Sequence, residues 1–157
     1  MRRPLAAIFL LFLGAGASAA PVSFKRVWPE WEDAIDFQSY SEYRTGKEVV
    51  GKWTVLRSQP EHRSGLYFMT RVENHGPPVP GAAFVIRVIS VGSVETRVYR
   101  FPADIPKKSW LFELGLTGRD WEGPKLQPIA WEVELDDAGG NILARETSYL
   151  WEKPEKR

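Results

Sequence analysis

From Lys52 onward, apolar and polar side chains change places every second residue, and no other feature limits what this chain can become so tightly. A period of two belongs to strands, whose successive side chains point to opposite faces. Trp53, Val55 and Arg57 alternate with Lys52, Thr54 and Leu56. Leu66, Phe68, Thr70 and Val72 alternate with Tyr67, Met69, Arg71 and Glu73. Ala82 to Ser90 is apolar apart from Arg87, as suits a central strand. Val94 to Phe101, Trp110 to Leu114, Ile129 to Leu135 and Ile142 to Trp151 complete seven runs. In the last of these, alternation predicts Tyr149 and Trp151 on one face and Ser148 and Leu150 on the other. That strand is then covered on both sides, or else it offers an edge to a partner.

Turn chemistry separates the runs. Pro77, Pro78 and Pro80 lack the amide donor a ladder needs, so Asn74 to Gly81 reads as a break. Val91-Gly92-Ser93 is a tight link, and Asp136 to Asn141 carries a hairpin signal between the last two strands. One stretch looks helical instead. Trp31 to Arg44 has no Gly or Pro, and Trp31, Ala34, Ile35, Gln38 and Ser41 form a stripe at helical spacing. Pro29 before it, Glu30, Glu32 and Asp33 in its first turn and Gly46 beyond it match a helix's polarity.

The start of the chain follows the order of a secretory signal. Arg2 and Arg3 precede an apolar run from Leu5 to Leu13, and small residues with Ala17-Ser18-Ala19 follow. A spanning helix needs about 20 apolar residues, so a cleaved leader fits better than an anchor. The expected boundaries are a signal peptide at 1–20 cut after Ala19 or Ala20, a segment with a short helix at 21–48, a sandwich domain at 49–152 and a disordered tail at 153–157. The pattern predicts Sec-type export to the periplasm or beyond the cell. Losing Arg2 and Arg3 leaves 19 basic side chains against 20 acidic, without the basic excess expected of a nucleic-acid binder. The chain has no cysteine, which removes disulfides, thiol nucleophiles, iron–sulfur clusters and cysteine-ligated zinc. Seven tryptophans, all after residue 20, supply apolar bulk to hold a core without staples.

By strand count and spacing, residues 49–151 resemble the immunoglobulin-like and fibronectin type III-like sandwiches of exported bacterial proteins. The expectation is a mainly β fold: an antiparallel immunoglobulin-like β-sandwich of about seven strands with one short N-terminal helix. The Cys…Trp…Cys framework of true immunoglobulin domains is missing, although Trp53 or Trp131 suits the core tryptophan. Likeness at this level implies no activity.

The chain carries few residues in patterns that signal chemistry. His62 and His75 both lie in polar, turn-like surroundings; Ser64 follows His62, but no G-x-S-x-G elbow and no H-E-x-x-H pattern exists. Glu132 and Glu134 share one strand face opposite Trp131 and Val133, the pattern of a solvent-facing row rather than a glycosidase pair. Asp136-Asp137 before Gly139 lacks the alternation of a calcium loop. The distinctive loop is Leu114 to Pro124, where Gly115, Gly118 and Gly123 surround Arg119, Asp120 and Trp121. Trp121 either stacks on a ligand ring while Arg119 and Asp120 make polar contacts, or folds back as a plug. The function expected is a non-catalytic interaction module of the cell envelope, binding a protein, peptide or glycan, with no cofactor, metal or nucleic acid. The alternatives are a carbohydrate-binding module using the Trp121 loop and, more remotely, a small hydrolase.

Overall fold

The structure, a computed structural model, describes residues 20–37 and 53–151. Eight strands form two four-stranded sheets: β1 (Val22–Glu32), β2 (Trp53–Arg57), β3 (Gly65–Asn74), β4 (Val79–Ser90), β5 (Arg97–Ile105), β6 (Lys108–Thr117), β7 (Pro128–Asp136) and β8 (Ile142–Thr147). One sheet has the order β1-β3-β6-β2, the other β5-β4-β7-β8. No described segment is a helix long and apolar enough to cross a membrane.

Each sheet turns its apolar parity inward. Leu66, Phe68 and Val72 of β3 and Phe112, Leu114 and Leu116 of β6 meet Phe84, Ile86 and Val88 of β4 and Val133 and Leu135 of β7 in one buried cluster. Aromatic rings join the layers, with Phe84 4.9 Å from Phe112 and Phe68 edge-on to Trp131 at 5.7 Å. Such pairs add a modest preference to the area they bury. Trp131 is half-buried and Trp53 exposed, so the fully buried tryptophan is neither of these but Trp121.

Four expectations about the strands and their pairing need correction. The helix expected over Trp31 to Arg44 is absent from its described part: Trp31 and Glu32 end β1, 34–37 is a turn, and 38–44 lies outside the described residues. Pairing with β3 from Val22↔Asn74 to Glu32↔Gly65 outweighs local helical spacing, and Pro29 is tolerated because β1 is an edge. The described residues hold eight strands rather than the seven expected. Pairing is not antiparallel throughout, since β2 runs parallel to β6, from Trp53↔Leu111 to Arg57↔Gly115. The final strand stops at Thr147: Trp151 N–H returns to Ser148 O at 3.0 Å, closing a turn that leaves Tyr149 exposed.

The β7–β8 hairpin falls where turn chemistry placed it, whereas the β4–β5 link runs on to Thr96 and β4 already starts at Val79, inside the stretch read as a break. Asp137 Oδ1 accepts the amides of Gly139 and Asn141 at 2.8 and 2.9 Å. This carboxylate therefore caps the β7–β8 turn and is held below the usual range, chiefly by the Asn141 side chain. At the other crossing, the buried Asn74 donates to Pro77 O at 2.8 Å and Pro106 O at 3.3 Å. It ties together two links that pass between the sheets.

Glu132 and Glu134 are not a solvent-facing row. They lie on the outer face of β7, only 3% and 8% exposed, beneath two arginines. Arg87 from β4 reaches Glu132 at 2.7 Å and Glu134 at 2.6 Å, and Arg145 from β8 donates to Glu132 from the other side. The bond to Glu134, followed by the bond to Glu132, holds the Arg87 guanidinium above its ordinary pKa against the opposing effect of burial. The single charge in an otherwise apolar β4 run is thus the centre of a four-residue network.

Candidate functional site

Three chain segments converge at one end of the stacked sheets: the turn after β1, the β2–β3 link and the β6–β7 link. Their attachment is dense. Thr117, buried at the end of β6, donates from Oγ1 to Gln59 O at 2.9 Å and accepts Gln59 N–H at 3.1 Å. Ser58 Oγ accepts Thr117 N–H at 3.0 Å. On the other side, Ser64 Oγ accepts Ala34 N–H at 3.0 Å, joining the turn after β1 to the start of β3.

Between these segments lies an open cleft of about 490 Å³. Trp31, Ala34, Glu61, His62, Arg63, Ser64, Gly118, Trp121 and Glu122 line it. Its size is within the range of small-ligand sites. Gly118 has φ +57, and a Cβ there would come within 2.7 Å of both the Gln59 side chain and the His62 ring. The glycine thus lets His62 and the β2–β3 link close down on the loop. Gly115 has a different reason: the ring of Tyr67 occupies the space where its Cβ would be.

Of the three residues singled out by sequence, Trp121 is 1% exposed. Its indole N–H donates to Leu126 O at 2.9 Å, and the Arg97 guanidinium lies 4.9 Å from its ring centre. A ring enclosed in this way does not present a face on which a sugar or peptide ring can stack. Trp121 instead takes the place of the plug. Asp120 turns its carbonyl toward the other sheet, accepting from Arg97 Nη1 at 2.9 Å and from Tyr99 Oη at 3.4 Å. Arg119 points into solvent and does not line the cleft. Arg97 was missed by sequence reading, because only the cross-sheet packing brings β5 to this loop.

His62 and His75 are both exposed, each within 4 Å of an acid, Glu61 and Glu73 respectively. They lie in different places: His62 lines this cleft, whereas His75 lines another depression with Lys107 and Lys108. No group of three or more metal-ligating side chains occurs among the described residues.

Beside the cleft, the end of β1 concentrates acids. Burial first, then the fields of Glu30, Asp36 and Glu113, push the Glu32 carboxyl from its ordinary 4.5 to about 7. Glu113 on β6 is also raised, chiefly by desolvation, with Arg57 opposing. A carboxyl that holds its proton more tightly when folded stabilises the fold below its unfolded pKa, and that contribution is lost as pH rises through the folded value. The urea midpoint should therefore fall between about pH 4.5 and 7, and Glu32→Gln should flatten that slope. An unchanged slope in the variant would remove Glu32 as its source.

Comparison with protein-family models, with curated proteins and with solved structures gave no match.

Proposed function

We propose that the chain is a non-catalytic, exported binding module of the cell envelope, and that its ligand, a protein or peptide segment, docks at the end carrying the cleft. One observation carries this reading: three links anchored by Thr117, Ser58 and Ser64 surround a single cleft, while exposed side chains stand at its rim. Loops held on a rigid pair of sheets are where binding groups are usually placed. The Ser64 hydroxyl accepts an amide proton that fixes the rim, which favours a structural role for it over nucleophilic chemistry.

The immunoglobulin-like, fibronectin type III-like kinship belongs to the same proposal. Set β2 aside, and the other strands follow A-B-E against D-C-F-G, the immunoglobulin division with its fourth strand moved to the opposite sheet. The leader reading is compatible with this arrangement, because Ala20 is exposed and β1 begins at Val22, so cleavage after Ala19 or Ala20 leaves every strand whole.

In-cell photo-crosslinking tests the docking end. A photoreactive amino acid at Ala34 or Arg119 should give discrete adducts, whereas the same group at Lys25 or Arg100, on the sheets, should not. Equal adducts at all four positions, or none at Ala34 and Arg119, would count against the reading.

A further inference from the structure

The cleft's charges are unevenly engaged. Arg63, its one permanent cation, is not free, and its backbone carbonyl also accepts the Tyr67 hydroxyl at 2.6 Å. His62, 3.9 Å from Glu61, is the only basic group within ion-pair distance of either cleft glutamate among the described residues. Glu122 has no such neighbour among them and is exposed. Glu61 is likewise exposed.

Trp31 forms another part of the wall. It is half-buried against the core cluster, and its Nε1 is bound to Asp33 Oδ1 at 3.1 Å. This bond fixes the ring and adds a carboxylate at its edge. Cations bind well to an aromatic surface flanked by carboxylates: the ring quadrupole attracts them, and charge-assisted hydrogen bonds orient them. An anionic ligand would face Glu61 and Glu122 with only the engaged Arg63 and the half-matched His62 to receive it. Arg119, the nearby unpaired cation, lies outside the lining.

We infer that the group seated in this cleft is a cationic amine or guanidinium, held between Glu61, Glu122 and the Trp31 wall. This rests on the binding-module reading and narrows it to the chemistry of the ligand. The cation is supplied by a lysine or arginine side chain of a peptide or by a free polyamine, which share this chemistry.

Titration calorimetry on the purified protein separates the cases, using a tetra-arginine peptide, spermidine and a tetra-glutamine peptide as probes. The cationic peptide should bind, and Glu61→Gln combined with Glu122→Gln should weaken it at least tenfold without lowering the unfolding midpoint. Added salt should weaken binding in the parent more than in the variant, because exposed charges are screened. Binding of spermidine as well assigns recognition to the amine alone; binding of the peptide only assigns it to the peptide.

Equal affinity for tetra-glutamine, an unchanged affinity in the double variant, or no binding of either cationic probe would overturn the inference. Adducts formed in cells at Ala34 and Arg119 would keep the binding module even then. Loss of both results would remove the two together.

Discussion

Replacing Trp121 with alanine should destabilise the domain by about 4 kcal/mol, as expected for removing a large aromatic side chain from a packed core. Trp121 is the largest fully buried side chain and packs in the same cluster as Leu66, Leu116 and Val88. Its removal leaves a cavity between the sheets, and two further contacts fail with it. Leu126 O loses its donor, and Arg97 loses the ring beneath it. Arg97 Nη2 already has no hydrogen-bond partner, which leaves the guanidinium with its Nη1 bond to Asp120 O alone. Trp121→Phe keeps most of the apolar volume but not the donor, and should lose roughly half as much. Urea unfolding at neutral pH measures both. An alanine variant within about 1 kcal/mol of the parent would mean that the loop is not part of the core.

The second large effect lies on the opposite sheet. Arg87→Met should destabilise by about 3 kcal/mol, because it leaves Glu132 and Glu134 facing each other with little water to solvate them. Arg145 keeps its hold on Glu132 and stays 3.6 Å from Glu134, which places the effect toward the lower end for a broken buried pair. The distinctive result is in the double variant. Removing one of the stranded charges with Glu134→Gln should restore part of the stability that Arg87→Met removes, a coupling that a simple packing loss would not show. If the double variant loses the full sum of the two single changes, the network is not coupled.

Reading the strands from alternation worked where pairing stays in register. β3, β6 and β7 carry clean inward and outward parity, and their boundaries follow it closely. β1 was hidden for a specific reason. A bulge between Phe24 and Arg26 shifts the inward set from Val22 and Phe24 to Val27 and Trp31. Alternation changes phase in mid-strand, and the acids that follow mimic the first turn of a helix. The parallel partner of β6 was equally illegible, because five residues of period two carry no direction.

At the candidate site, the glycines were noticed but only partly explained by sequence. Gly118 needs its positive φ; Gly115 instead yields to Tyr67, a residue from a different strand. The tryptophan-centred loop was found, whereas its true contacts, Arg97 and Leu126, depend on which sheet lies above it. The cleft itself was invisible, since Trp31, Glu61 and Glu122 are brought together only by the crossing of three links. Glu132 and Glu134 show the same limit: their shared face was legible, the arginines roofing them were not.

The parallel bond between β2 and β6 also sets an order of assembly. A chain appears from its N-terminus first, and Trp53 has no place to settle until Leu111 has followed it out. Strands β4 and β5 can close on each other at once, as can β7 and β8, through short turns. The second strand to be made is therefore among the last to be bonded. Until then the β6 side of its sheet stands unpaired, and a helper that binds extended backbone would find its opportunity there.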